Sequence, residues 1–177
     1  MVRAQDMAIP LSWAGPPAQL RPRQAEDHAF LRELFRLNRW QEVTAAGLDS
    51  LAGTLFLAQQ FDLQCRHYDQ HYRLNGQRFI VVLADRSVGR LELWANRTGD
   101  GHQDLRVVDI ALLPNQCGQG LGTALLRTVQ AWAVADGRSV SLHVDPDNPA
   151  ARLYRRLGFR RQGYQGRRWR MIWHPPA

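Results

Sequence analysis

VVDIALLPNQCGQGLGTALLRTVQAWAV, residues 107–134, is the stretch on which the reading of this chain turns. An apolar run ends at Pro114, and glycines follow at Gly118, Gly120 and Gly122. A helical pattern begins at once, with Leu121, Leu125, Val129 and Trp132 at helical spacing and Arg127 facing out. Asp136-Gly137 supplies its stop. Strand, glycine turn and helix together can bind an anion through the backbone. Glycines admit close approach, and the first-turn N–H groups have the positive end of the helix dipole behind them. An isolated glycine triplet is better explained as an ordinary strand-to-helix turn, so its identity has to come from spacing and neighbours.

Two phosphate-binding patterns fail on spacing. A P-loop needs Lys-Ser or Lys-Thr after its last glycine, whereas Gly122 is followed by Thr123-Ala124. A G-x-G-x-x-G fingerprint would need a glycine where Thr123 stands (counting from Gly118) or where Leu125 stands (counting from Gly120). What remains, x-x-Gly-x-Gly after a strand ending in proline, resembles the acetyl-CoA-binding motif of the GNAT superfamily of N-acetyltransferases. In that family the pattern is Gln/Arg-x-x-Gly-x-Gly/Ala. Here Cys117 replaces the Gln or Arg, which removes a polar side chain but leaves the backbone amides.

A second stretch strengthens the resemblance. LHVDPDNPAARLYRRLGF, residues 142–159, is similar to the family's strand, Asn and helix ending Leu-Tyr-x-x-Leu-Gly-Phe. The two motifs stand in the right order, one helix apart, and the likeness extends over roughly Arg78 to Trp173. The Asn-to-Tyr interval is one residue short, so Asp147 stands where Asn is common, and Asn148 is read as a helix cap as well as a cofactor candidate.

The resemblance implies an α/β fold of the acyl-CoA N-acyltransferase kind. Its mixed central β-sheet, of about six or seven strands, is flanked by helices and has a splayed strand pair. It implies that the acetyl-CoA diphosphate lies over Gly118, Gln119, Gly120, Leu121, Gly122 and Thr123, with the pantetheine arm along the backbone of Ile110, Ala111 and Leu112. The chemistry is acyl transfer to a primary amine in a ternary complex. It calls for a base, an acid near the sulfur and a donor for the oxyanion. By the motif, Tyr154 is the acid; by spacing with Leu157 alone it would be read as core. For the base, His143 comes first, because a branch of the family places Glu there in Leu-Glu-Val-x-x-x-Asn. Asp109, a carboxylate in an apolar strand, comes second, with a structural bond to an arginine as its ordinary explanation. Glu92 alternates with Leu91 and Leu93 and so points to the opposite face, toward a substrate pocket or solvent, with solvent the favoured reading. A CoA-binding sensor without catalysis is the rival reading.

The rest of the chain is read from local signals. Residues 1–18, with Pro10, Pro16 and Pro17, form a lead-in segment before a single domain over 19–177. A short strand at Gln19-Leu-Arg precedes a helix from Ala25, and a second helix runs from Asp49 to about Tyr72. Strands are expected at Phe79–Leu83 and Val88–Trp94, around a turn at Asp85-Arg86-Ser87, then a loop over Asn96–Asp104 and a strand at Leu105–Leu113. Val140–Val144, Arg160–Tyr164 and Arg168–Trp173 complete the strands, and the helix opened by Asn148-Pro149 ends at Gly158.

Composition bounds the partners. The 177-residue chain carries net charge +7, and it contains no lysine, so all its fixed cations are arginine. That balance favours anionic partners, but the arginines are scattered and no nucleic-acid signature accompanies them, so no nucleic-acid partner is assigned. Two cysteines, Cys65 and Cys117, fit a reducing compartment; no apolar run approaches membrane-spanning length. The chain is therefore read as cytoplasmic, with no membrane partner and room for a homodimer. His67 and His71 lie four apart near Cys65 and Asp69, but no His-Glu-x-x-His or third ligand is evident, and no metal is assigned. The amine acceptor is not legible.

Overall fold

The computed structural model describes residues 9–97 and 101–176. In chain order these are β1 (Ile9–Pro10), β2 (Ala18–Pro22), α1 (His28–Ala45), α2 (Ser50–His71), β3 (Gly76–Leu83), β4 (Arg86–Arg97) and β5 (Gln103–Leu112). Then come α3 (Leu121–Ala135), β6 (Ser139–Val144), α4 (Ala150–Arg156), β7 (Arg160–Gln165) and β8 (Arg168–Trp173). One mixed sheet has the order β1-β2-β3-β4-β5-β6-β8-β7. It holds eight strands where six or seven were expected, because Ile9 and Pro10 pair with Leu20 and Gln19. Leu11 is buried with them, so the described part of the expected lead-in belongs to the fold. Residues 1–8 lie outside the described residues. The expected loop over 96–104 is narrower, since β4 runs to Arg97 and β5 starts at Gln103; residues 98–100 of it lie outside the described residues.

Strands β2 to β5 form an antiparallel meander. The β3–β4 hairpin turns at Ala84 and Asp85, both left-handed (φ 45° and 62°), one residue earlier than the sequence implied. Two left-handed residues match the twist of the flanking strands, as a two-residue hairpin requires. Helices α1 and α2 cover one face through a core of Leu31, Leu34, Phe35, Leu57 and Phe61 against Ile80 and Val82. Asp49 caps α2, accepting the Ala52 N–H at 2.8 Å. The other face carries the larger core, in which Leu121, Leu125 and Val129 of α3 and Tyr154 of α4 meet Leu91, Leu93 and Val107. Gln130 Nε2 donates to Leu157 O at 2.9 Å and ties α3 to the end of α4. No helix among the described residues is long and apolar enough to cross a membrane.

The sheet opens between β5 and β6. These strands pair in parallel from Asp104↔Ser139 to Val107↔Leu142, and no further. The paired part is fastened by the buried Asp104 carboxylate, which accepts from Ser139 Oγ at 2.7 Å and Ser141 Oγ at 2.5 Å. The divergence has a local cause. Across β4–β5, Glu92 faces Asp109 but Leu93 faces Val107, which leaves Val108 as an extra residue. Such a bulge bends its strand, and this one falls where the β5–β6 pairing ends. Beyond it, Leu113 N–H donates to Val88 O at 2.8 Å. By the alternation of an antiparallel ladder, Asp109 and Ala111 also turn their main-chain groups to β4, while Ile110 and Leu112 turn theirs to the gap. Asn38 Nδ2 of α1 donates to Leu112 O at 3.0 Å.

Candidate active site

At the far end of the gap, a short 3-10 turn (Pro114–Gln116) leads into the glycines. Gly118 and Gly120 are left-handed (φ 77° and 96°), a conformation that disfavours residues with a Cβ. A Cβ built on either would meet nothing within 4 Å, so backbone conformation, not crowding, is what calls for glycine there. Gly120 is the N-cap of α3 and supplies no side-chain acceptor. The helical ladder starts only at Ala124 N–H, which donates to Gly120 O at 3.1 Å. The amides of Leu121, Gly122 and Thr123 therefore have no intrahelical acceptor. Leu121 points its side chain into the core, so it can offer a ligand only its backbone. Gln119 Nε2 donates to Asn115 O at 2.7 Å and the exposed Cys117 Sγ to Leu113 O at 3.5 Å; both brace the turn. A free helix N-terminus of four turns opening from glycines suits a phosphate group.

The other cofactor candidates divide. Ile110 and Leu112 offer main-chain groups to the gap, whereas Ala111 is turned to Arg90 on β4. Asn148 Oδ1 accepts the Ala150 N–H at 2.9 Å, so its side chain is spent on starting α4.

Tyr154 is buried on α4, with its ring edge-on to Phe159 at 5.9 Å. Burial, and then the negative charge of Asp109, push its phenol up to about 12. It is protonated at neutral pH. Asp109 lies just past the bulge, on the face covered by α2. It is ion-paired with Arg90 and accepts from Tyr68 Oη at 3.3 Å. The arginine expected as its ordinary partner is thus present, on the neighbouring strand. Glu92, expected in solvent, is buried instead, because α2 lies over that side of β4. Burial pushes its carboxyl up, against the pull of Arg90, Arg78 and Arg23 and with Asp109 adding to the rise. Arg90 in turn donates to Gln64 Oε1 on α2 at 2.8 Å. Arg90, Tyr68 and the buried state of Glu92 were not read from the sequence. The alternation Arg90, Glu92 between leucines looks like a wet strand face, and only the length of α2 hinted at a cover.

His143 stands on β6 one residue past the last pairing with β5. Arg106 Nη2 donates to its Nδ1 at 2.6 Å. A guanidinium only donates, so the proton of the neutral ring is on Nε2. Burial first, then the charges of Arg106, Arg170 and Arg168, push the imidazole down to about 4. His143 therefore sits among cations.

Around His143 the α2 side of the sheet is hollow. A cavity of about 760 Å³ is lined by His67, His71, Arg106, Asp145, Arg167 and Arg168 among others, and Tyr72 stacks under Arg106 at 5.8 Å. A second, of about 330 Å³, reaches Asp104, Ser141 and Arg170, and the two share Arg106, His143 and Gln165. His67 and His71 stack at 4.1 Å between centroids, and His71 Nδ1 meets His67 O at 2.9 Å. Among the described residues no group of three His, Cys, Asp or Glu is arranged to hold a metal ion.

Comparison with known proteins agrees with this fold. The model of the acetyltransferase (GNAT) family matches residues 47–159, the greater part of the chain. Among solved structures, the PaiA N-acetyltransferase of Thermoplasma acidophilum, in complex with coenzyme A, superposes with a TM-score of 0.64 at 17% identity, over 89% of this chain and 99% of that one. RimJ of Mycobacterium smegmatis, in complex with CoA-disulfide, gives 0.64 at 19% identity, over 94% and 85%. A chimera of the spermidine N-acetyltransferase SpeG from Vibrio cholerae and hSSAT gives 0.60 at 22% identity, over 89% and 95%. At such identities the likeness is one of fold.

Proposed function

Because the chain belongs to the acetyltransferase (GNAT) family, we propose that it moves an acetyl group from acetyl-CoA to the nitrogen of a primary amine, by direct attack in a ternary complex. One observation carries this reading. The β5–β6 pairing stops at Val107 and Leu142, Ile110 and Leu112 beyond it turn main-chain groups away from β4, and the unpaired amides at the start of α3 follow at the end of β5. An extended anionic cosubstrate fits such a path from end to end. The domain responsible is residues 19–177, with β1 added at its edge.

Acetyl-CoA supplies the activated thioester. The amides of Leu121, Gly122 and Thr123, with the turn Gly118–Gly120, hold its diphosphate. Main-chain groups of Ile110 and the Leu112 N–H bind the arm as an added strand would, while Leu112 O stays with Asn38, and an N–H at the bulge serves the oxyanion. The amine nitrogen forms a bond to the acetyl carbon, and the carbon–sulfur bond breaks. The proton lost by the amine goes to Asp109, directly or through water, and Tyr154 gives its phenolic proton to the departing sulfur. The products are the amide and free CoA thiol. Asp109 suits the base role better than His143. Arg90 and Tyr68 both meet Asp109 at Oδ2, which leaves Oδ1 to take a proton, whereas the one lone pair of neutral His143 is already taken by Arg106.

Release of free thiol from acetyl-CoA, followed across a panel of amines and peptides, tests this. Amine-dependent release that drops sharply in Asp109→Asn and Tyr154→Phe is the expected result. Tight acetyl-CoA binding with no release from any amine would make the chain a CoA-binding sensor.

A further inference from the structure

The acceptor side of the gap is unusually rich in donors and poor in acceptors. Four arginines, Arg106, Arg167, Arg168 and Arg170, line the two joined cavities, against two carboxylates, Asp104 and Asp145. Asp104 is 1% exposed and its oxygens are filled by Ser139 and Ser141, so its charge is committed inside the sheet. None of the four arginines forms an ion pair among the described residues. Asn96 Oδ1 is one orphaned acceptor in the second cavity and the Gln165 side chain approaches His143, but Arg106 Nε and His143 Nε2 are buried without a partner in hydrogen-bond geometry. Both are N–H groups in the neutral-histidine state, and both residues line both cavities. Buried donors without acceptors are costly unless a ligand supplies the acceptor.

This anion site is not the coenzyme's diphosphate site. Arg106 lies six residues before Leu112 on β5, about 20 Å at ~3.3 Å per residue, so it sits at the opposite end of the gap from the glycine turn. Arg106 and Asp109, by contrast, are about 10 Å apart along the strand, and an arginine side chain spans much of that interval.

We propose that the amine acceptor is a small molecule carrying an anionic group, a carboxylate or a phosphate, that binds between Arg106, His143, Arg168 and Arg170 while its amine reaches Asp109. The inference rests on the acetyl-transfer reading above and specifies its acceptor. A planar guanidinium beside a ring N–H offers paired donors to oxyanions of either kind. The cavity volumes suit a metabolite-sized ligand. A polyamine would bring positive charge to unpaired arginines and is disfavoured.

The test compares matched amines in the thiol-release assay, with acetyl-CoA binding followed in parallel by thermal shift. Aminoethyl phosphate is set against ethanolamine, an amino acid against its amide, with spermidine and an acidic peptide alongside. The anionic member of a pair should show kcat/KM higher by about tenfold or more, and the phosphate and carboxylate pairs identify which oxyanion is preferred. Arg106→Gln and Arg168→Gln should raise KM for the anionic member by a larger factor than for the neutral one, so that the ratio of the two kcat/KM values falls toward one, and leave the acetyl-CoA thermal shift intact. Neutral amines or spermidine turned over as fast as anionic ones, with that shift intact, would overturn the inference alone. Turnover of the peptide alone would overturn its small-molecule form. No thiol release from any amine would overturn the transfer reading and the inference with it.

Discussion

Tyr154 looks like a packing residue by most measures: it is buried, on the inner side of α4, with its ring against Phe159. Its phenol, pushed up to about 12, stays protonated across the neutral range. Tyr154→Phe keeps the ring and is expected to cut kcat roughly a hundredfold while leaving the dissociation constant for acetyl-CoA nearly unchanged. Stopped-flow rates and equilibrium binding separate the two. His143 makes a different prediction. Its folded-state value, about 4, lies below the ordinary 6.5. As pH falls through 6.5 the unfolded chain takes up the proton first, so stability drops between pH 6.5 and about 4 and the loss levels off below that. A melting curve against pH should therefore be flatter in His143→Gln over that window. At this scale the sequence was half legible. Asp109 stood out because a carboxylate in an apolar strand needs a partner. Which arginine answers it depends on the register of β4 against β5, and no local pattern encodes that.

Among the elements, the opening of β5 from β6 matters most, and its causes are spread along the strand. Asp104 fastens the paired end, Val108 bulges, and past it the ladder to β4 continues alone. The glycine turn was readable from spacing because Gly118 and Gly120 are needed for their left-handed backbone. Gly120→Val should cost about 1–2 kcal/mol of stability and weaken acetyl-CoA binding, as measured by denaturant unfolding and calorimetric titration. The bulge was not readable, since it depends on which residues of two strands lie opposite each other. Nor was the burial of Arg90 and Glu92, which depends on α2 lying across them. Arg90 is 5% exposed and pairs with Asp109. Arg90→Met leaves that partly buried carboxylate without its cation and should lower unfolding free energy by about 1–3 kcal/mol. Double-mutant unfolding with Asp109→Asn should recover part of the loss.

The whole molecule is one eight-stranded sheet with a core on each face. The face under α3 and α4 is apolar. The face under α2 holds the arginines, the paired carboxylates and the hollow around His143, and the gap joins the two sides. The sequence carried the fold class through its two motifs, and pointed to the glycine turn as the end of the gap for an anionic cosubstrate. The acceptor's end was hidden because its arginines come from β5, β8 and the hairpin turn, far apart in the chain. Binding of acetyl-CoA is the claim on which every role above depends. It is tested most directly by the melting temperature of the purified protein at acetyl-CoA far above its dissociation constant. A hundredfold excess over that constant stabilises by about 2.7 kcal/mol, or roughly 5–10 °C for a chain of this size. A rise of that order is predicted, and a melting temperature unmoved by acetyl-CoA would contradict the account.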